Sequence, residues 1–447
     1  MNTGGNAARD IDWPADLLQP VLALPEHNTL RVALSGGLDS SLLLCVAAAC
    51  YSNVTAVHVN HQLQPNHEQT EQFCRDLCAQ LSVPVVIEQV DVQAGSAAGG
   101  LEEAARAARY DVFYQLLGAG DLLLMAHHAD DQAETVLFRL LRGSGVKGLA
   151  GMPRTRPLGK GSLLRPWLDI SRDRLEQVAA SVQLSWDEDP SNRSQAFDRN
   201  YLRHSVLPGL KERWPGLLQR VTRSARACAE SEQLNRRLAE LQWRECGDGE
   251  RRLKLPEFRA LDRLEQRNLL CWWIGRQGWP LPSLSSGDQV LSELLDAAED
   301  RGPEIRGNGY SIRRYRSHLY LVPDREVPQQ SRQLTPQQPV QWGPWRITLS
   351  ATRPANTSDN APPPIRISTR QGGERVKTDP GRHSRALKTW LQEQGVPPWE
   401  RAALPLVYRL VPDGDQLIAV GNLWCSDRYS GSAPAAGWRL IVERDCD

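Results

Sequence analysis

The 447-residue sequence has nine cysteines but no Cys-x-x-Cys pair. The nearest approach, Cys74 and Cys78, is one helical turn apart on an expected helix, so neither structural zinc nor a disulfide framework is expected. No run reaches the roughly 18 apolar residues of a membrane span, and the opening Met1-Asn2-Thr3-Gly4-Gly5-Asn6 lacks the apolar stretch of a signal peptide. A soluble, cytoplasmic protein with no membrane partner is expected. Lys plus Arg and Asp plus Glu both number 53, so the molecule as a whole has no electrostatic reason to seek nucleic acid, and any such affinity must come from local patches. There is no Gly-x-x-x-x-Gly-Lys-Ser/Thr, and no Gly-x-Gly-x-x-Gly follows the first expected strand, which argues against a Walker-type kinase and a Rossmann dehydrogenase. Internal repeats and heptad runs are also lacking.

What is present starts at Ser35-Gly36-Gly37-Leu38-Asp39-Ser40-Ser41, between the apolar run Leu30 to Leu34 and the helix start Leu42 to Ala47. Two glycines remove the Cβ atoms that would hold a pyrophosphate away from backbone N–H groups. The serines add hydroxyl donors, and the helix N-terminus turns its partial positive charge toward an anion. The loop is read as a phosphate cradle for a nucleotide; the plainer alternative is a Ser/Gly turn with an N-cap.

The chain is too long for one ordinary core. From Leu30 to about Trp186, the runs Val54–Val59, Val83–Ile87 and Leu122–Ala126 alternate with helical patterns, implying a parallel sheet. In such sheets ligands sit beyond the carboxyl ends of the strands, so Ser35–Ser40, His58–His61 and Ala126–Asp131 should converge on one crevice. From about Trp214 apolar residues recur at helical spacing (Leu217, Val221, Ala225, Cys228, then Leu234, Leu238, Leu241), and no strand is expected before Tyr310. The expected organisation is a catalytic domain over 1–215, a helical middle domain over 216–322, a Pro/Gln-rich linker over 323–364 and a C-terminal domain over 365–447, with a loose tail before Trp13.

His127-His128-Ala129-Asp130-Asp131-Gln132-Ala133-Glu134-Thr135 runs from a strand end into a helix. Its spacing lets Asp130, Asp131 and Glu134 share one helical face. Three readings stay open: a solvated N-cap, a two-metal hydrolase site, or a charge cluster serving ATP, magnesium and a cationic substrate. Arg106 and Arg109 are one turn apart on another expected helix, suited either to phosphates or to surface ion pairs with Glu102 and Glu103.

These segments, in this order, resemble the tRNA(Ile)-lysidine synthetases, members of the N-type ATP pyrophosphatases with a PP-loop. The resemblance is carried by Ser35–Ser40, Val59-Asn60-His61-Gln62-Leu63, Glu102–Tyr110 and Ala126–Thr135. It continues through Arg142–Gly145, Arg165-Pro166, Asp189–Asn192 and Arg199–Arg203. It implies an α/β parallel-sheet ATP pyrophosphatase domain followed by the helical middle domain and a small α+β C-terminal domain. It also implies adenylation of the C2 oxygen of the wobble cytidine in the CAU anticodon of an isoleucine tRNA, with the ε-amine of L-lysine then displacing AMP.

On this resemblance Ser35, Gly36, Gly37, Leu38, Asp39, Ser40 and His61 bind ATP, with Asp39 on Mg2+. His128, Asp130, Asp131 and Glu134 serve lysine binding or proton removal, and Arg106, Arg109 and Arg203 meet phosphate and transition-state charge. Arg366, Arg370, Arg375, Lys377, Arg382, His383, Arg385 and Lys388, against Glu374 and Asp379, form a local positive surface. Its stretch also resembles the family's C-terminal domain, which grips the acceptor arm. A homodimer through the middle domain is a further expectation.

Rival enzymes of the same loop class fare worse. A tRNA thiolase needs a cysteine near the site to deliver sulfur, and only Cys45 lies near a motif, inside a helix. A glutamine-fed ligase needs an amidotransferase pattern that is not apparent. A nucleotide sensor without turnover would have no use for Asp39 and the carboxylate set.

Overall fold

The structure, a computed structural model, describes residue 8 and residues 11–91, 101–187, 198–280, 287–296, 302–324, 326–328, 330–352, 363–378, 383–412, 414–430 and 437–444. The motif Asp189–Asn192, together with Asp379 and Arg382 of the basic surface, therefore lies outside the described residues. The chain divides into two units, Met1–Arg237 and Leu238–Asp447.

The first unit runs α1 (Ala15–Leu22), β1 (Leu30–Ala33), α2 (Leu38–Cys50), β2 (Val54–Asn60), α3 (His67–Gln80), β3 (Val85–Gln89), α4 (Leu101–Leu116), β4 (Leu122–Leu124) and α5 (Ala129–Leu141). It continues with α6 (Val146–Leu149), β5 (Thr155–Leu158), β6 (Gly161–Leu164), α7 (Arg172–Ser181), α8 (Asp198–Tyr201), a π-helical turn (Leu202–Val206), α9 (Leu207–Arg213) and most of α10 (Leu217–Cys246). The strands order as β3-β2-β1-β4-β6-β5. All neighbours pair parallel except the edge strand β5, which returns antiparallel on β6. Leu30 of β1 stands level with Val54 on one side and Leu122 on the other, so the three strands start side by side. Because the order steps outward from β1 through β2 to β3 and then jumps back to β4, the topological switch point lies between β1 and β4, where an open α/β sheet leaves a crevice.

α2 is apolar all round because it is covered on every side. Leu42, Leu43, Leu44, Val46 and Ala47 are fully buried, and the helix packs between the sheet, α1 and α7. Ala8, in the tail expected to be loose, is buried and accepts a hydrogen bond from Trp13 Nε1 at 2.9 Å.

The second unit continues α10 and adds β7 (Arg252–Lys254), α11 (Leu255–Ala260), α12 (Arg263–Arg276), α13 (Gly287–Asp296), β8 (Glu304–Arg306), β9 (Tyr310–Tyr315) and β10 (His318–Pro323). The region expected to be helical thus also carries a four-stranded sheet, β7-β10-β9-β8. Two of its strands, β7 and β8, are three residues long, too short for an alternating apolar pattern to register.

The remainder is β11 (Arg332–Leu334), β12 (Val340–Trp342), β13 (Trp345–Ala351), β14 (Ile365–Ser368), β15 (Arg375–Val376), β16 (Arg385–Ala386), α14 (Leu387–Glu393), α15 (Pro398–Ala403), β17 (Leu406–Arg409), β18 (Gln416–Val420), β19 (Trp424–Cys425) and β20 (Trp438–Arg444). Residues 323–364, expected as a linker, contribute β11 to a sheet with β14 and β13 to a sheet with β20. Trp342, Trp345, Ile347 and Leu349 enter the same core as Ile365 and Ile367, so this stretch is part of the C-terminal fold rather than a spacer. Three arginines of the basic surface are paired with carboxylates: Arg366 with Asp415, Arg385 with Glu393 and Arg370 with Glu374.

Candidate active site

Gly36 is the bend of the loop. Its φ of +89° is open to glycine, and an added Cβ would stand 3.0 Å from Thr70 Cγ2 on α3. Its carbonyl accepts from Asp187 N–H at 3.0 Å, and the Thr70 hydroxyl donates to the Asp187 carboxylate, so three distant segments meet there. Ser40 Oγ accepts from Ser35 N–H at 3.1 Å and donates to Gly37 O at 3.1 Å, which closes the turn. Ser41 Oγ donates to Gly36 O. Gly37 is the N-cap of α2 and has no side chain to cover the helix end. The first-turn N–H groups, beginning with Leu38, therefore lack an intrahelical acceptor and suit an anion.

Across the switch point, His128 caps α5. Its Nδ1 accepts from Asp131 N–H at 3.4 Å, and Asp131 Oδ2 accepts from His128 N–H at 3.2 Å. With Nδ1 used as an acceptor, the neutral ring carries its proton on Nε2. Nε2 lies 3.4 Å from Asp131 Oδ2 and 3.8 Å from Asp39 Oδ2, and this joins the loop to the acids.

Three cations serve the four acids of the cluster most directly. Asp39 pairs with Arg172 at the start of α7, Asp130 with Lys211 of α9, and Glu134 with Arg203. Arg203 also reaches Asp131 Oδ1 at 2.8 Å. Burial drives the Asp39 and Glu134 carboxyls above the ordinary range. Burial pushes Asp131 the same way, but His128, Arg203 and the hydrogen bond from the His128 backbone N–H outweigh it and its carboxyl ends below that range. One buried atom is left over: Asp39 Oδ1 has no hydrogen-bond partner.

His61 and Arg109 form a second group at the end of β2. Arg109 Nε donates to His61 Nε2 at 3.2 Å, leaving His61 Nδ1 buried and unpartnered. Burial, then Arg109, lowers the His61 imidazole to about 4. Arg106 instead lies 5.1 Å over the Tyr110 ring, within the influence of His127, which burial holds at about 3.

The structure thus brings together Asp39, His128, Asp130, Asp131, Glu134 and Arg203 from separate motifs. Sequence reasoning did not single out Arg172, Lys211, Arg165 or His127 as site residues. Arg165 is 2 % exposed and its Nε donates to His127 Nδ1 at 3.3 Å. Its place at the carboxyl end of β6 is the signal that would have found it.

An anion in this lysine-free loop would be held by backbone amides and hydroxyls alone, as in the PP-loop class of ATP pyrophosphatases, and the family model of the PP-loop domain matches residues 14–210. Two further models match, the TilS substrate binding domain over residues 253–320 and the TilS substrate C-terminal domain over 365–442. The tRNA(Ile)-lysidine synthase of Pseudomonas aeruginosa is 38% identical over 444 residues, covering 95% of each chain. That of Alkalilimnicola ehrlichii is 37% identical, covering 96% of this chain and 97% of its own, and that of Coxiella burnetii is 34% identical, covering 96% of each. The chain belongs to the tRNA(Ile)-lysidine synthase family.

Proposed function

We propose that this protein is an ATP-dependent ligase that forms a carbon–nitrogen bond on tRNA. It adenylates the C2 oxygen of the wobble cytidine in the CAU anticodon of an isoleucine tRNA. The ε-amine of L-lysine then attacks C2 and AMP leaves, giving lysidine, AMP and pyrophosphate. The observation that carries this reading is the 3.8 Å approach of Asp39, in the phosphate loop, to His128, which caps the acid-bearing helix. A nucleotide in the loop therefore ends beside a set of carboxylates suited to an ammonium group.

The residues divide the work. Backbone N–H groups and hydroxyls of Ser35, Gly36, Gly37, Leu38 and Ser40 grip the leaving pyrophosphate, and the unpartnered His61 Nδ1–H is a donor for the nucleotide. Asp39 Oδ1, buried and without a partner, fits a cation. Among the described residues no group of three or more His, Cys, Asp or Glu is arranged to hold a metal, so Mg2+ would rest on Asp39 and phosphate oxygens. When bound, it supplies neutralisation of phosphate charge. His128 presents Nε2–H toward the loop.

Cytosine O2 is a poor leaving group until it carries AMP, and lysine must shed a proton before its nitrogen attacks. Asp130, Asp131 and Glu134 form the amine site, and Glu134, its carboxyl raised by burial, is suited to take that proton. Arg106, Arg109 and Arg203 meet phosphate and developing negative charge. Leu234, Leu238 and Leu241 expose an apolar stripe on α10 that supports a homodimer, which sedimentation reads directly. No helix among the described residues is long and apolar enough to cross a membrane, which suits a cytoplasmic enzyme.

The test is tRNA-dependent exchange of pyrophosphate into ATP, followed by mass spectrometry of nucleosides after L-lysine is added. The expected product is lysidine. Product formation that depends on sulfide or glutamine in place of lysine would overturn the reading.

A further inference from the structure

Arg172 opens α7 and is held there by both its main chain and its side chain. Its backbone N–H donates to Asp130 Oδ2 at 2.8 Å, and Ile170 O, two residues earlier, accepts from Ala129 N–H at 2.8 Å, so the start of α7 is pinned to the start of α5. Its Nε donates to Glu176 Oε1 at 2.9 Å, one turn along α7. The remaining contact is Nη1, which donates to Asp39 Oδ2 in the phosphate loop. With backbone and Nε both anchored, the guanidinium has little freedom to leave Asp39.

The two oxygens of Asp39 are therefore treated unequally. Oδ2 has the Arg172 guanidinium and, 3.8 Å away, His128 Nε2. Oδ1 is buried and has no hydrogen-bond partner. A divalent cation that came to Oδ1 by itself would meet a carboxylate whose charge a guanidinium already matches. Among the described residues no group of three or more His, Cys, Asp or Glu stands ready to make up the shortfall. Mg2+ takes near-octahedral oxygen ligands, and phosphate oxygens are the ones this loop is shaped to bring.

We propose that Arg172 is a positioning residue that makes the cation at Asp39 conditional on the nucleotide. It covers Oδ2, leaves Oδ1 as the one oxygen of that carboxylate on offer, and by its charge turns away a metal ion that arrives without phosphates. A triphosphate carries enough negative charge to outweigh one guanidinium, so metal and nucleotide enter together. This deepens the role of Asp39 given above and rests on it.

The probe is Mn2+, with the free ion followed by electron spin resonance, in the full-length protein without ATP or tRNA. Repulsion of a divalent ion by one unit charge about 6 Å away is worth about tenfold even at the dielectric of water. Arg172→Met and Arg172→Gln should each bind Mn2+ about tenfold more tightly than the wild type. The glutamine keeps a donor for Oδ2, so a gain in both variants assigns the effect to charge. Arg172→Lys should behave as the wild type, and adding Asp39→Asn to Arg172→Met should cancel the gain. A merely structural role for Arg172 gives a loss of metal affinity or no change, never a gain that lysine reverses.

Unchanged or weaker Mn2+ binding in either neutral variant, once a cooperative melting transition shows it to be folded, overturns the proposal. So does an equal gain in Arg172→Lys, or a gain that survives Asp39→Asn and so places the metal elsewhere. Calorimetry with the Mn2+–ATP complex checks the underlying role separately: Asp39→Asn should weaken its binding about tenfold, and no change there would remove the cation from Asp39 whatever Arg172 does.

Discussion

Arg203 meets Glu134 with both arms of its guanidinium, Nε to Oε1 at 2.6 Å and Nη2 to Oε2 at 2.9 Å. The side chain of Glu134 is 1% exposed, so this fork is its main compensation for leaving water. A planar, two-pronged donor also fixes the carboxylate plane, which a point charge cannot do.

Arg203→Ala strands a buried carboxylate. The expected result is a loss of about 3 kcal/mol of stability in denaturant unfolding, together with a fall in lysidine formation of about two orders of magnitude. Arg203→Lys keeps the charge but loses the fork, and should recover stability more than activity.

Gly36→Ala tests the loop. At φ +89° a Cβ is strained, and it would press on Thr70 at 3.0 Å. The cost of about 1–2 kcal/mol should lower the melting temperature by about 3–6 °C. The displaced loop should raise KM for ATP in the exchange assay about fivefold.

The two buried imidazoles set an acid limit. His61 sits at about 4 and His127 at about 3, against an ordinary value of 6.5, and burial is the first cause of both. Each is neutral in the folded protein, while the unfolded chain takes up protons as pH falls through 6.5. Their contribution to stability is therefore complete above 6.5 and drains away toward 4 and 3. Melting temperature should drop between pH 7.5 and pH 5, and the drop should shrink in His127→Gln.

Burial pushes the thiols of Cys45, Cys74 and Cys78 up to about 12, which leaves almost no thiolate at neutral pH. Iodoacetamide applied to the native protein at pH 8 should leave all three unmodified, and the same reagent in urea should label them. Cys45→Ala should retain lysidine formation, as no sulfur is carried.

The parts of the site that a single segment builds were legible in the sequence. The loop declares itself through two glycines and flanking hydroxyls, and α5 through acids spaced on one helical face. What was hidden is what pairs with them. Asp39 and Arg172 are 133 residues apart, and nothing local to either names the other. Lys211 was hidden for a further reason, since its phase with Arg203 depends on a π turn that a regular helical count misses. In the C-terminal region, proline and glutamine masked strands as short as three residues, although Trp342, Trp345, Ile347 and Leu349 fill the core there.

The cations that pair with the acids of the cleft, Arg172, Arg203 and Lys211, all come late in the chain. During translation the loop and the acids of α5 leave the ribosome tunnel before Arg172, and well before Arg203 and Lys211. Until those residues emerge, the nascent cleft is a crowd of mutually repelling carboxylates with no reason to close, so the ATP site matures only after its own counterions have been synthesised.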